Sequence, residues 1–175
     1  MAAFEVAYRF MLANEDKTPP EYAIVPDAPP GAHAISGINS AAWPLLYPLI
    51  AAIPQSERGP FVEAFYEEHF WNQWYAQLTS DEVAKRVFDA AVNVGGGTAV
   101  RLLQRAANQL GVGGPIINED GKWGPKTVDA ANTNFERGSL VESFKKVRSD
   151  HYKDIVAKNP QDEKYLAAWL VRSQK

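Results

Sequence analysis

Apolar residues recur along most of the chain at helical spacing. Over residues 3–14, Phe4, Tyr8, Met11 and Leu12 fall at intervals that line one face of a helix, with Glu15 at its end. A second pattern covers about 58–75 and is dense in rings: Phe61, Phe65, Tyr66, Phe70, Trp71 and Trp74. A third spans about 80–94, where Ser80 is a candidate cap and Val83, Val87, Phe88, Ala91 and Val94 form the apolar stripe. The Gly95-Gly96-Gly97 triplet breaks that stripe, and a fourth helix is expected over about 98–110, followed by a turn at 111–114. Pro125 suits a first helical position, and two further helices are expected over about 139–157 and 162–172.

Residues 18–37 stand apart. They hold Pro19, Pro20, Pro26, Pro29, Pro30, Gly31 and Gly37, so no regular helix runs through them. Loops this long are usually functional or disordered, and Tyr22, Ile24, Val25 and Ile35 give this one something to pack. The expectation is an ordered, hairpin-like loop beside an active site, with a disordered insert as the alternative. The fold class read from the pattern is mainly α.

Composition narrows the chemistry. At 46% hydrophobic and 22% charged over 175 residues, the chain is that of a folded globular protein. The absence of Cys excludes disulfides, zinc–thiolate sites, iron–sulfur clusters and thiol nucleophiles. A net charge of −3 gives no electrostatic case for nucleic acid. His33, His69 and His151 lie far apart, which argues against a histidine metal site. The longest uncharged stretch, 38–56, contains Pro44, Pro48 and Pro54, which argues against a stable membrane insertion. Residues 1–12 carry Glu5 and Arg9 and lack a basic-then-apolar leader, so delivery to any target beyond the cytoplasm is expected to need assistance.

No G-x-S-x-G, phosphate-loop or H-E-x-x-H motif is present, and Gly95-Gly96-Gly97 lacks the Lys and Ser/Thr of a phosphate loop. Carboxylate chemistry remains. Glu15 lies where the first helix meets the Pro-rich loop, a place where a side chain can face a cleft while the helix holds its backbone. A carboxyl shielded by aromatic neighbours stays protonated near neutral pH and serves as an acid. Glycoside hydrolysis uses such an acid, usually with a second carboxylate, and Asp27 is the candidate partner in the same loop. A Glu at a helix end is most often a solvated charge, so residue types alone leave both roles open.

The order of motifs adds a family. Phe4-x-x-Ala7 through Leu12-x-x-Glu15, then residues 27–31, then Ser36-Gly37-Ile38 resembles the opening of glycoside hydrolase family 108. Glu63-Ala64-Phe65-Tyr66-Glu67-Glu68-His69-Phe70-Trp71 is similar to that family's Tyr-x-x-x-Tyr-Trp helix, and Asp89-x-x-Val92-Asn93-x-Gly95 to its Asp-x-x-Val-Asn-x-Gly helix. Leu103-Gln104-Arg105-Ala106, then Asp120-Gly121-x-x-Gly124-Pro125-x-Thr127, resembles the peptidoglycan-binding module that accompanies such enzymes. Phe144-x-x-x-Arg148-x-x-x-Tyr152 and Tyr165-Leu166-Ala167-Ala168-Trp169-Leu170-x-Arg172 fit the module's end. Where the family has Gly-Gly-Tyr after its Glu, this chain has Asp16-Lys17-Thr18.

The resemblance implies a lysozyme-like helical catalytic part over 1–94, with a Pro/Gly-rich loop or small hairpin, and a helical peptidoglycan-binding module over 95–175 packed against it. It implies an N-acetylmuramidase that cleaves the MurNAc–GlcNAc β-1,4 bond, without metal or organic cofactor. Glu15 is the implied general acid, Asp27 a group that positions or activates water, and Ser36 a hydroxyl where the family has Thr. Tyr22, His33, Trp71 and Trp74 are candidate substrate-binding residues. The aromatic rings suit sugar faces, although Trp71 on a helical stripe has core packing as its competing role. Peptidoglycan glycan strands are the expected partner, with a holin as the delivery route. Two alternatives stay open: a peptidoglycan-binding protein whose catalytic half has decayed, motivated by the residues after Glu15, and a lytic transglycosylase-like cleavage.

Overall fold

The computed structural model describes residues 1–17, 20–111 and 116–175. Thr18 and Pro19 of the early loop, and residues 112–114 of the expected turn, lie outside the described residues. α1 (Phe4–Glu15) buries Ala7, Tyr8, Met11 and Leu12 on one face. Asp16 then turns extended, and its N–H closes the helix on the Leu12 carbonyl at 2.8 Å.

The Pro-rich segment folds as a small antiparallel sheet of β1 (Ile24–Asp27), β2 (Ala32–Ile35) and β3 (Ile38–Asn39), in that order. Ile24 pairs with Ile35 and Asp27 with Ala32, so Asp27 lies at one end of β2. At the other end Ser36 and Gly37 form a two-residue turn in which both φ angles are positive, +46° and +84°. This mirror-image turn matches the twist of the strands it joins.

α2 (Tyr47–Ala51) was not expected in the 38–56 stretch; Pro48 stands in its first turn, where a missing N–H costs nothing. α3 (Gly59–Phe70) is shorter than its aromatic pattern. The chain becomes extended at Trp71, and the Asn72 side chain accepts the Trp74 N–H at 3.0 Å, forming a local turn that competes with the helix. Trp71 and Trp74 therefore lie beyond the helix that was expected to carry them.

α4 (Asp81–Val94) starts as expected, with the Ser80 hydroxyl accepting the Glu82 N–H at 3.1 Å. The glycine break is one residue wide. Gly95, at φ +86°, separates α4 from α5 (Gly96–Leu110), and the other two glycines enter the new helix. α6 (Pro125–Glu136) begins at Pro125, followed by α7 (Leu140–Lys158) and α8 (Glu163–Gln174). The fold is mainly α. α1 packs on α4, α4 on α5, α5 on α7 and α7 on α8, and one buried apolar cluster extends from α1 and the sheet through to α7.

Candidate active site

Glu15 follows Met11 and Leu12 by four and three residues, so its side chain emerges at the edge of the buried face of α1. It is 18% exposed. Its Oε1 accepts Arg172 Nη2 of α8 at 2.6 Å. Arg172 also bonds Asp89 of α4, its Nη2 reaching Oδ1 at 2.8 Å. Asp89 is fully buried and accepts a second guanidinium, Arg148 Nη1 of α7, at 2.7 Å, together with the Asn14 amide at 3.0 Å. Arg148 continues to the Tyr152 hydroxyl, which donates to Asn93. Two carboxylates thus face two guanidiniums, so the cluster is close to neutral. Burial alone would favour losing the Arg172 proton; the Asp89 and Glu15 carboxylates outweigh it and hold this side chain charged more firmly than usual.

The other carboxylate oxygen, Oε2, faces the Ser36–Gly37 turn. A Cβ on Gly37 would come within 2.7 Å of it and of the Tyr66 hydroxyl, so this position needs glycine for space as well as for its φ. The Tyr66 hydroxyl donates to the Ser36 carbonyl at 2.7 Å and fixes the turn over the acid. Burial, then the nearby Glu15 charge, keeps that phenol protonated far above its ordinary range.

Asp16 organises the loop that follows. Its carboxylate accepts the Ser36 hydroxyl and the N–H groups of Lys17, Glu21 and Tyr22. Burial would raise its pKa, but the Ser36 hydroxyl and these three N–H groups overcome that and lower it below 3.8.

Comparisons with known proteins bear on this arrangement. Residues 27–95 match the model of Glycosyl hydrolase 108, and residues 98–174 match the one described as Predicted Peptidoglycan domain. The chain is a family 108 protein with a C-terminal peptidoglycan-binding module. Its fold is similar to that of SagA of Brucella abortus, with a TM-score of 0.60 at 18% identity, covering 98% of this chain and 93% of that one. No curated protein matches it.

In this family 108 protein, the elements around Glu15 come from both matched regions: α4 lies in the first, and α7 and α8 in the second. Of the other expected site residues, Ser36 reaches Glu15's surroundings through the turn it forms, while its hydroxyl is engaged by Asp16. Asp27 accepts the Asn39 amide and the Ala28 N–H, both at 2.8 Å, at the far end of β2. From Ala32, its partner, to Ile35 the strand advances about 10 Å at ~3.3 Å per residue. His33 is exposed on β2, its backbone bonded to Ser40. Tyr22 lies against Gly59 and lines a separate cavity of about 410 Å³ with Tyr8 and Glu63. Trp71 stacks on Tyr75 with centroids 4.7 Å apart and meets Phe4 and Phe88 edge-on; Trp74 is partly exposed.

Asp89, Asn93, Arg148, Tyr152 and Arg172 were visible only as letters in motifs, without roles. A charge such as Asp89 beside Val87 and Phe88 on an apolar stripe was the usable signal, since a buried charge demands a partner. Asp16, Gly37 and Tyr66 carried no such signal.

Proposed function

We propose that the protein is an N-acetylmuramidase that cleaves the MurNAc–GlcNAc β-1,4 bond of peptidoglycan with Glu15 as general acid. The observation that carries this reading is the asymmetry of the Glu15 carboxyl: Oε1 is fixed by Arg172, and Oε2 faces the Gly37 turn at a partly open position. In the reaction, a Glu15 carboxyl protonated on Oε2 gives that proton to the glycosidic oxygen as the C1–O bond breaks, and the carboxylate this leaves is the form paired with Arg172. Water adds its oxygen to C1 and loses a proton to a base. Arg172 is a positioning residue, its charge divided between Glu15 and Asp89.

Asp27 is the base this reading assigns. It stands on the small sheet whose Ser36–Gly37 turn covers Glu15, and serving a water rather than attacking C1 itself is the role this reading gives it. His33, on the same strand, and the partly exposed Trp74 are assigned to the glycan, as are Tyr22 and Trp71 where their rings remain accessible. Residues 1–94 form the cleaving part and 95–175 the part that holds the polymer. Among the described residues no helix is long and apolar enough to cross a membrane, and passage through a holin-type hole is the delivery route assigned here.

A second reading rests on one observation: Asp27's hydrogen bonds run to Asn39 and Ala28 rather than toward Glu15. Without a base for water, the MurNAc C6 hydroxyl would attack C1, pass its proton to the Glu15 carboxylate left by the acid step, and leave an anhydro end, as in a lytic transglycosylase. Mass spectrometry of fragments released from purified peptidoglycan separates the two. Reducing MurNAc ends support hydrolysis, and anhydro ends, 18 mass units lighter by the mass of one water, support the second reading.

A further inference from the structure

The two carboxylate oxygens of Glu15 have unlike surroundings. Oε1 takes the Arg172 guanidinium at 2.6 Å, and Oε2 accepts no hydrogen bond among the described residues. The Ser36–Gly37 turn is packed over Oε2. The hydrogen that Gly37 carries in place of a Cβ points between Oε2 and the Tyr66 hydroxyl, since a Cβ there would lie 2.7 Å from each. The two oxygens thus face each other across one glycine.

Tyr66 reaches this place from α3 as a fully buried side chain, with Tyr8, Phe65 and Phe70 against its ring. Its hydroxyl proton is committed to the Ser36 carbonyl at 2.7 Å. A phenol that has spent its only proton offers lone pairs to its other neighbours. Toward Oε2 it is therefore an acceptor and not a donor. A charged oxygen facing lone pairs is disfavoured, whereas a carboxyl O–H there has an acceptor, and hydrogen bonding to the neutral form of an acid holds its proton on. Arg172 works in the opposite sense at Oε1, where it favours the charge. The other charged or titratable groups around the pair, among the described residues, are engaged elsewhere. Asp89 of α4, with Arg148 and Tyr152 of α7 behind it, holds the rest of Arg172. Asp16 takes the Ser36 hydroxyl and three N–H groups, Lys17 pairs with Glu21, and Lys175 donates to Asn14.

We infer that Tyr66 is a positioning residue for the proton of the acid: its hydroxyl, oriented by the Ser36 carbonyl, keeps that proton on Oε2, the oxygen Arg172 does not hold. The inference rests on the muramidase reading above and adds the residue that loads Glu15 against its own counter-ion. The carboxylate left by the acid step pairs with Arg172, and the proton that returns before the next turnover finds an acceptor on the Oε2 side.

The test measures initial rates of reducing-end release from purified peptidoglycan across the alkaline limb, for wild type and Tyr66→Phe. Phe keeps the ring and its contacts and removes the hydroxyl alone. Loss of one hydrogen bond to the neutral acid moves that limb to lower pH by about one pH unit. The deficit of Tyr66→Phe is therefore expected to be a few-fold on the acidic side and to grow toward tenfold on the alkaline side. Asp16 is held below its ordinary range, and Tyr8, Tyr66 and Tyr152 above theirs, so none of them titrates across a limb near neutral pH. A Tyr66 that only shaped the turn would lower the rate by one factor at every pH. Tyr66→fluorotyrosine, which keeps ring and hydroxyl in place but weakens the oxygen as an acceptor, is the second variant and decides the matter if the Phe protein does not fold. It is expected to move the limb the same way by a smaller amount. A deficit uniform in pH, or a limb shared with wild type, overturns the inference. Glu15→Gln tells the two levels apart. Wild-type release that depends on Glu15, with an unmoved limb in the Tyr66 variants, overturns the role of Tyr66 alone. Absence of release by wild type, or release undiminished in Glu15→Gln, overturns the reading of Glu15 as the acid and this inference with it.

Discussion

Arg172 Nη2 donates to Glu15 Oε1 at 2.6 Å, joining residues 157 positions apart. The pair ties the end of α1 to the last helix. The region that matches the peptidoglycan domain thus contributes directly to the surroundings of the candidate acid. Its stability follows from Asp89, which neutralises the remaining charge on Arg172 and takes Arg148 as well.

Removing Arg172 leaves Glu15 and the fully buried Asp89 short of a counter-charge. Arg172→Met is expected to destabilise the fold by about 3–5 kcal/mol, the usual cost of stranding a buried charge. Arg172→Lys keeps the charge but loses the two-pronged contact, so a smaller loss is expected. Urea unfolding of the three proteins checks the order.

Gly37→Ala places a Cβ where Glu15 Oε2 and the Tyr66 hydroxyl already stand, in a backbone conformation L-residues avoid. The conformation alone costs about 1–2 kcal/mol. The expected outcome is a fall in glycan cleavage of more than tenfold with a modest drop in melting temperature. Unchanged cleavage would mean that the turn does not set the acid's position.

Asp16 gives a pH dependence with a definite sign. Its pKa is lowered in the folded chain, so its contribution to stability is complete above 3.8 and is lost as pH falls through the lower folded value. The melting-temperature difference between wild type and Asp16→Asn should therefore be largest near neutral pH and shrink below pH 3.8. A difference that stays constant across that range contradicts the hydrogen-bonded role. Ser36→Ala, which removes one donor to the same carboxylate, should shrink the difference in parallel.

The helices were legible because their apolar stripes repeat at helical period, and their starts because Ser80 and Pro125 have local chemistry that acts without tertiary help. The early hairpin was legible in outline, through its prolines and its few apolar residues. The end of α3 was not: continued aromatic spacing hid the Asn72 turn that stops the helix at Phe70. α2 was missed because Pro48 reads as a breaker unless its position within the first turn is known. At the site, Glu15 was marked by its place at a helix end and by the family resemblance. Its partners were not, since a pairing across 157 residues is decided by how α8 packs, which no local pattern encodes. Asp16 stood out only as a departure from the family's Gly-Gly-Tyr, whereas its carboxylate is consumed by the loop it caps.

The central claim is that Glu15 supplies the proton. The direct test is release of reducing ends from purified peptidoglycan by wild type and by Glu15→Gln, with melting temperature and binding to sacculi measured on both. Gln keeps an oxygen for Arg172 but has no acidic proton, so the account predicts an intact, sacculus-binding protein whose cleavage falls by 10²–10⁴-fold, the usual range for loss of a general acid. Release by Glu15→Gln within a few-fold of wild type would contradict it, as would wild-type protein that binds sacculi and releases nothing.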